Sequence, residues 1–123
     1  MPDSTEIGQL EESYRKSIGS LDIQRKSLET EADAIFLELT SPPGEGIPPM
    51  GLDDPLVDKD GYPRGDIDIY RARTLRQRYH IIQNDHKELM RQTEELLYKL
   101  AALKVRYTIR QKRIHTVNHQ SLS

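Results

Sequence analysis

The sequence predicts an all-α fold: an antiparallel helical hairpin of coiled-coil type, with a structured Pro/Gly-rich connecting segment packed on it. Three observations carry this. Apolar residues recur every seven positions between Ile7 and Leu39, and again between Leu75 and Leu103. The stretch between the two patterns is broken by prolines and glycines yet carries large apolar side chains of its own. With 123 residues, 35% hydrophobic content, one Phe and no Trp, the chain supports a single modest, elongated domain. A broad globular core around an enclosed active site is out of reach.

The first helix spans about residues 4–40. Ile7, Tyr14, Leu21, Leu28 and Ile35 form one row, and Ile18, Ala32 and Leu39 form a second row four residues on, interrupted by Arg25. Rows four apart share one helical face, so the helix is amphipathic. Asp3 followed by Glu6 predicts a capped start. Gly19 weakens the helix by roughly 1 kcal/mol against Ala, although the stripe keeps its phase across it.

The connection covers residues 41–66. TSPPGEGIPPMG carries four prolines and three glycines, which forbid a continued helix or a central strand and predict a loop mobile at its tip. We assign no function to the segment from Pro42 to Pro49. PLVDKDGYPRGDIDIY, from Pro55 to Tyr70, reads differently, because ordering Leu56, Val57, Tyr62, Ile67 and Tyr70 requires burial in return. Asp60-Gly61 tolerates a tight turn, and Pro63 biases Tyr62 towards extended backbone. Asp66 stands where a helix N-cap is expected, with Asp68 adding charge to the first turn. The segment is predicted to be a docked corner.

The second helix runs from about 67 to 108. Leu75, Ile82, Leu89, Leu96 and Leu103 repeat every seven residues, flanked four residues later by Tyr79, His86, Thr93, Leu100 and Tyr107. At 1.5 Å per residue the helices measure roughly 50 and 60 Å, similar enough to pair, and strict sevens favour a left-handed supercoiled contact. Residues 111–123 lose apolar density and are expected to fray.

The net charge of −2 hides an asymmetry: Met1–Asp68 carries sixteen acidic and six basic residues, Ile69–Ser123 four and twelve. Intramolecular pairing is the simplest use of that difference. Arg71, Arg73, Arg76 and Arg78 open the second helix, where cations oppose the helix dipole, so some of them need acidic partners. Asp58, Asp66 and Asp68 are the obvious internal candidates, and a protein partner is the other. There is no cysteine, which excludes disulfides and thiolate chemistry. No apolar run approaches the ~20 residues of a membrane span and no signal peptide is visible, so no membrane association is expected. Cytoplasmic and nuclear residence is the default.

Nothing in the residues builds a catalytic centre. Asp58, Asp60 and Gly61 imitate positions three, five and six of a calcium loop, but positions one and twelve fall on Leu56 and Ile67, which are not ligands. His115 and His119 share a helical face without a third ligand, and His86 on the apolar stripe reads as hydrogen-bonded packing. No nucleophile with a base and no phosphate-cradling loop is present. The chain is read as a non-enzyme with no metal and no cofactor. The basic residues raise a nucleic-acid hypothesis, which the acidic overall balance disfavours.

The run PLVDKDGYPRGDIDIY, continuing through Arg71, Arg73, Thr74 and Arg76 to QNDHKELM, resembles the N-terminal domain of the proteasome regulatory-particle assembly chaperones, the proteasome non-ATPase regulatory subunit 9 family. The resemblance is close from Pro55 to Met90 and looser over the first helix. It implies a non-catalytic chaperone that binds the small C-terminal helical domain of a proteasomal ATPase subunit and masks it while the regulatory-particle base assembles. In the family a PDZ domain follows; this chain stops at Ser123 without room for one, so tail binding is not carried over. The expected state when free is monomeric.

Leu56, Val57, Tyr62 and Tyr70, shaped by Pro63 and Asp66, are expected to lock the corner onto the hairpin. Asp58, Arg64, Arg73 and Asp85 are the candidate partner contacts, and Leu89 is expected in the core. The rival readings are a generic coiled-coil dimerisation module and, behind it, a nucleic-acid binder whose affinity falls steeply with salt.

Overall fold

The computed structural model describes residues 3–122, with the side chains of residues 3–114. It is all-α. Helix α1 runs Ser4–Thr40 and helix α2 runs Ile69–Leu122, and among the described residues there is no strand, only an isolated antiparallel bridge between Val57 and Pro63. Helix α2 continues to Leu122, through the residues 111–122 expected to fray, while His115 and His119 fall where side chains are not described.

Both helix starts are capped by aspartate. At α1 the Glu6 amide donates to Asp3 Oδ1 at 2.8 Å, and the Asp3 amide donates to Glu6 Oε2 at 3.3 Å. This is the reciprocal box that the Asp3/Glu6 spacing predicts. At α2 the cap differs from the expectation. Asp68, not Asp66, accepts from the Arg71 amide at 3.0 Å, and its carbonyl accepts from the Ala72 amide at 3.0 Å. Asp66 is committed instead to the Arg64 guanidinium, which leaves the nearer aspartate to satisfy the free helical amides.

The chain divides into two compact units, residues 3–23 with 89–122 and residues 24–88. In the first, Ile7 of α1 and Leu100 and Leu103 of α2 are buried, and Ser4, Ile7, Gly8 and Glu11 face Leu103, Lys104, Tyr107 and Thr108 across a shallow groove. Its surface carries i,i+4 ion pairs, Arg15–Glu11 at 2.8 Å and Arg91–Glu95 at 3.1 Å. Such exposed pairs support helix formation more than tertiary stability.

The second unit holds the corner. Ile35 and Leu39 of α1, Ala72 and Ile82 of α2, and Met50 and Leu56 of the connection form its core, with Leu28, Ala32, Leu52, Ile67, Ile69, Leu75 and Tyr79 packed around it. Glu38 pairs with Arg71, Glu31 with Arg78 and Glu29 with His86. Numbers fall on α1 as they rise on α2, so the two segments run antiparallel here. Leu39 and Ile82 lie on the predicted rows and are essentially sealed from solvent. Each such aliphatic side chain contributes roughly 1.5–3 kcal/mol from burial.

The proline-rich stretch is more closely tied than a mobile loop. Met50 enters the core, and the Gly51 amide donates to the Leu39 carbonyl at 2.7 Å, satisfying an acceptor that the end of α1 leaves free. Gly51 has φ of +77°, and a Cβ there would sit 2.7 Å from Asp54 Oδ2, so the position needs glycine.

Candidate functional site

The corner is assembled by main-chain hydrogen bonds around Asp58. Its amide donates to the Tyr62 carbonyl at 2.7 Å, and its carbonyl accepts from the Gly61 amide at 3.1 Å. Its Oδ1 accepts from the amides of Asp60 at 2.9 Å and Tyr62 at 3.0 Å. Gly61 takes φ of +86° to close the turn, and the Arg64 amide reaches the Leu56 carbonyl at 3.1 Å. Asp58, a candidate partner contact by sequence, is therefore the organiser of its own turn.

Arg64, a second candidate, also works inside the fold. Its guanidinium donates to the carbonyls of Pro49 at 3.1 Å and Pro48 at 2.8 Å and forks onto Asp66 at 3.0 and 3.3 Å. Only 12% of its side chain is exposed. These bonds hold the Asp66 carboxyl below its usual range. Arg76 makes the matching clamp from α2, donating to the carbonyls of Gly51 at 2.9 Å, Met50 at 2.8 Å and Asp54 at 2.8 Å. Neither clamp was visible in the sequence. The available signal was the run of prolines, which carry carbonyls but no amides and so need donors from elsewhere.

Arg71 and Arg78 find their partners on α1, not among the corner aspartates that the sequence suggests. Arg71 forks onto Glu38, with Nη2 donating to Oε2 at 2.8 Å. Arg78 forks onto Glu31 at 2.7 and 2.8 Å. These bonds lower the Glu38 and Glu31 carboxyls and raise both guanidinium groups further. The corner aspartates are otherwise engaged, Asp58 in its own turn, Asp66 by Arg64 and Asp68 as the helix cap; Asp68 adds only a weaker through-space attraction to Arg71.

His86 lies 2.9 Å from Glu29 Oε1, and Glu29 also accepts from Arg25 Nη1 at 2.8 and 3.0 Å. His86 and then Arg25 hold the Glu29 carboxyl low. The arrangement is hydrogen-bonded packing between helices. Among the described residues no group of three His, Asp or Glu side chains is placed to hold a metal, and no helix is long and apolar enough to cross a membrane.

Of the side chains expected to lock the corner, Leu56 is buried in the core. Val57, Tyr62 and Tyr70 are exposed, Tyr70 by 81%, and Pro63 contributes through the bridge to Val57. The turn is held by main-chain bonds and by Asp58, and Ala72 takes the inward position at the start of α2. Arg73 and Asp85 are exposed on α2, and Asp85 lies close enough to Arg78 to raise its pKa. Beside the corner, Pro48, Pro49, Pro55 and Val57 line an open groove with Asp54, Asp58 and Asp66.

Residues 18–101 match the family model described as the Nas2 N-terminal domain. The chain belongs to that family. Among curated relatives, the chain is 37% identical over 102 residues to the 26S proteasome non-ATPase regulatory subunit 9 of Mus musculus, covering 83% of this chain and 44% of the relative. It is 54% identical over 48 residues to the protein of the same name in Drosophila melanogaster, covering 39% and 22%. It is 31% identical over 80 residues to the probable 26S proteasome regulatory subunit p27 of Saccharomyces cerevisiae, covering 65% and 34%. The chain thus spans less than half the length of these relatives. No solved structure matches it.

Proposed function

We propose that the chain is a proteasome assembly chaperone domain that binds the C-terminal helical domain of a proteasomal ATPase subunit and masks it sterically while the regulatory-particle base forms. The observation that supports this most is the family match over residues 18–101. The structure is compatible with the task, since masking needs a preorganised shape with complementary charge and no chemical step. In the second unit the helices and their connection are tied together by Leu39, Met50, Arg64 and Arg76. The protein acts in the cytoplasm and nucleus, requires no cofactor, and is monomeric when free.

The test is a pull-down of the full chain against separately expressed C-terminal domains of the proteasomal ATPases. Binding to one of them with little binding to the others is expected. Binding to none, alongside retention by RNA or by intact regulatory particle, would overturn the chaperone reading.

A further inference from the structure

Four arginines open α2, and the fold accounts for three of them. Arg71 holds Glu38, Arg76 holds three carbonyls and Arg78 holds Glu31. Arg73 has no hydrogen bond or ion pair among the described residues and is exposed. A cation near a helix N-terminus is not favoured by the helix dipole, and no contact among the described residues offsets this.

Arg73 does not stand alone. Tyr70, Arg73, Gln77 and Ile81 are spaced by three, four and four residues, which puts them on one stripe of α2. That stripe lies opposite the one carrying Ala72, Leu75, Tyr79 and Ile82, which faces the core. Tyr70 is 81% exposed and Ile81 42%, both on the side that solvent should claim. Single exposed apolar residues are ordinary, but here an aromatic, an unpaired arginine and a branched aliphatic lie in line over three turns. Tyr and Arg are the residues that most often dominate protein interfaces, and this spacing suits the side of another helix.

We infer that this outward stripe of α2, Tyr70, Arg73, Gln77 and Ile81, docks a helical segment of the partner that presents a carboxylate to Arg73 between apolar side chains. The inference rests on the proposed function and names the surface it uses. Charge sets the choice of occupant. Glu29, Glu31 and Glu38 of α1 are already engaged by basic groups, so the Arg73 guanidinium is available to a carboxylate from outside. The planar guanidinium fork favours a carboxylate.

The test measures affinity of the full chain for the separately expressed ATPase C-terminal domains by calorimetry. Tyr70→Ala, Arg73→Glu and Ile81→Asp are each expected to weaken binding tenfold or more. Tyr98→Ala, which removes a tyrosine of similar exposure from α2 in the other unit, should change it less than twofold. Circular dichroism should be unchanged in all four. Arg73→Gln should also flatten the dependence of affinity on salt, which keeps the test valid if the charge reversal perturbs the helix. If the wild type binds and the stripe variants bind as tightly, or Tyr98→Ala loses as much as Tyr70→Ala, the surface is wrong while the chaperone reading stands. If no ATPase domain binds the wild type, both fall together.

Discussion

Replacing Arg76 should separate a fold held by buried side chains alone from one that also depends on pinned backbone. Its guanidinium donates to the carbonyls of Met50, Gly51 and Asp54, the first two bonds part-buried and the third exposed. A hydrogen bond from a charged donor contributes about 1.5–3 kcal/mol, but water can replace the exposed one, so Arg76→Ala is expected to cost about 3 kcal/mol in total. Arg76→Lys keeps the charge, yet a single ammonium cannot span three carbonyls, so it should recover only about a third of the loss. Urea unfolding followed by circular dichroism is the assay, with an expected fall in midpoint of roughly 1–2 M for the alanine variant. Arg78→Ala, which breaks a half-exposed ion pair with Glu31, should shift the midpoint far less. A loss below about 0.5 kcal/mol for Arg76→Ala, or equal losses at Arg76 and Arg78, would refute the idea that the connection is pinned through its carbonyls.

Leu39→Ala removes a side chain with no exposed surface from the centre of the second unit and should destabilise by about 2–5 kcal/mol, measured by the same urea titration. Gly51→Ala, at φ +77° and 2.7 Å from Asp54 Oδ2, should cost about 1–3 kcal/mol. Combined with Arg76→Ala, its cost should be less than additive, because both variants release the same loop. The carboxyls of Glu29, Glu31, Glu38 and Asp66 all sit below their ordinary values of 4.5 and 3.8. The unfolded chain therefore binds more protons than the folded one across that window, and stability is full above about pH 4.5–5 and lost as pH falls through the lowered values. Melting temperature recorded from pH 7 to pH 2 should show this decline, with a shallower slope in Glu29→Gln.

The two helices were legible from the seven-residue rows alone, since Leu28, Ile35 and Leu39 of α1 and Leu75 and Ile82 of α2 meet the core where their spacing puts them. The Asp3/Glu6 cap was equally local. The family was readable from Pro55 to Met90, because a specific run of residue types survives without any knowledge of packing. The candidate site was less readable. By type Asp58 and Arg64 read as charges available to a partner, but the turn and the proline carbonyls use them, and Tyr62 and Tyr70 read as packing residues but are exposed.

The sequence by itself determined where helices form, how they begin and which face of each is apolar, because those properties depend on neighbours within a turn or two. Only the tertiary structure decided which arginine meets which acceptor, that Met50 belongs to the core, that Asp68 rather than Asp66 caps α2, and that Arg73 has no partner among the described residues. A guanidinium reaches several acceptors of similar chemistry, and the choice among them depends on distances between residues some 15 to 47 positions apart in the chain.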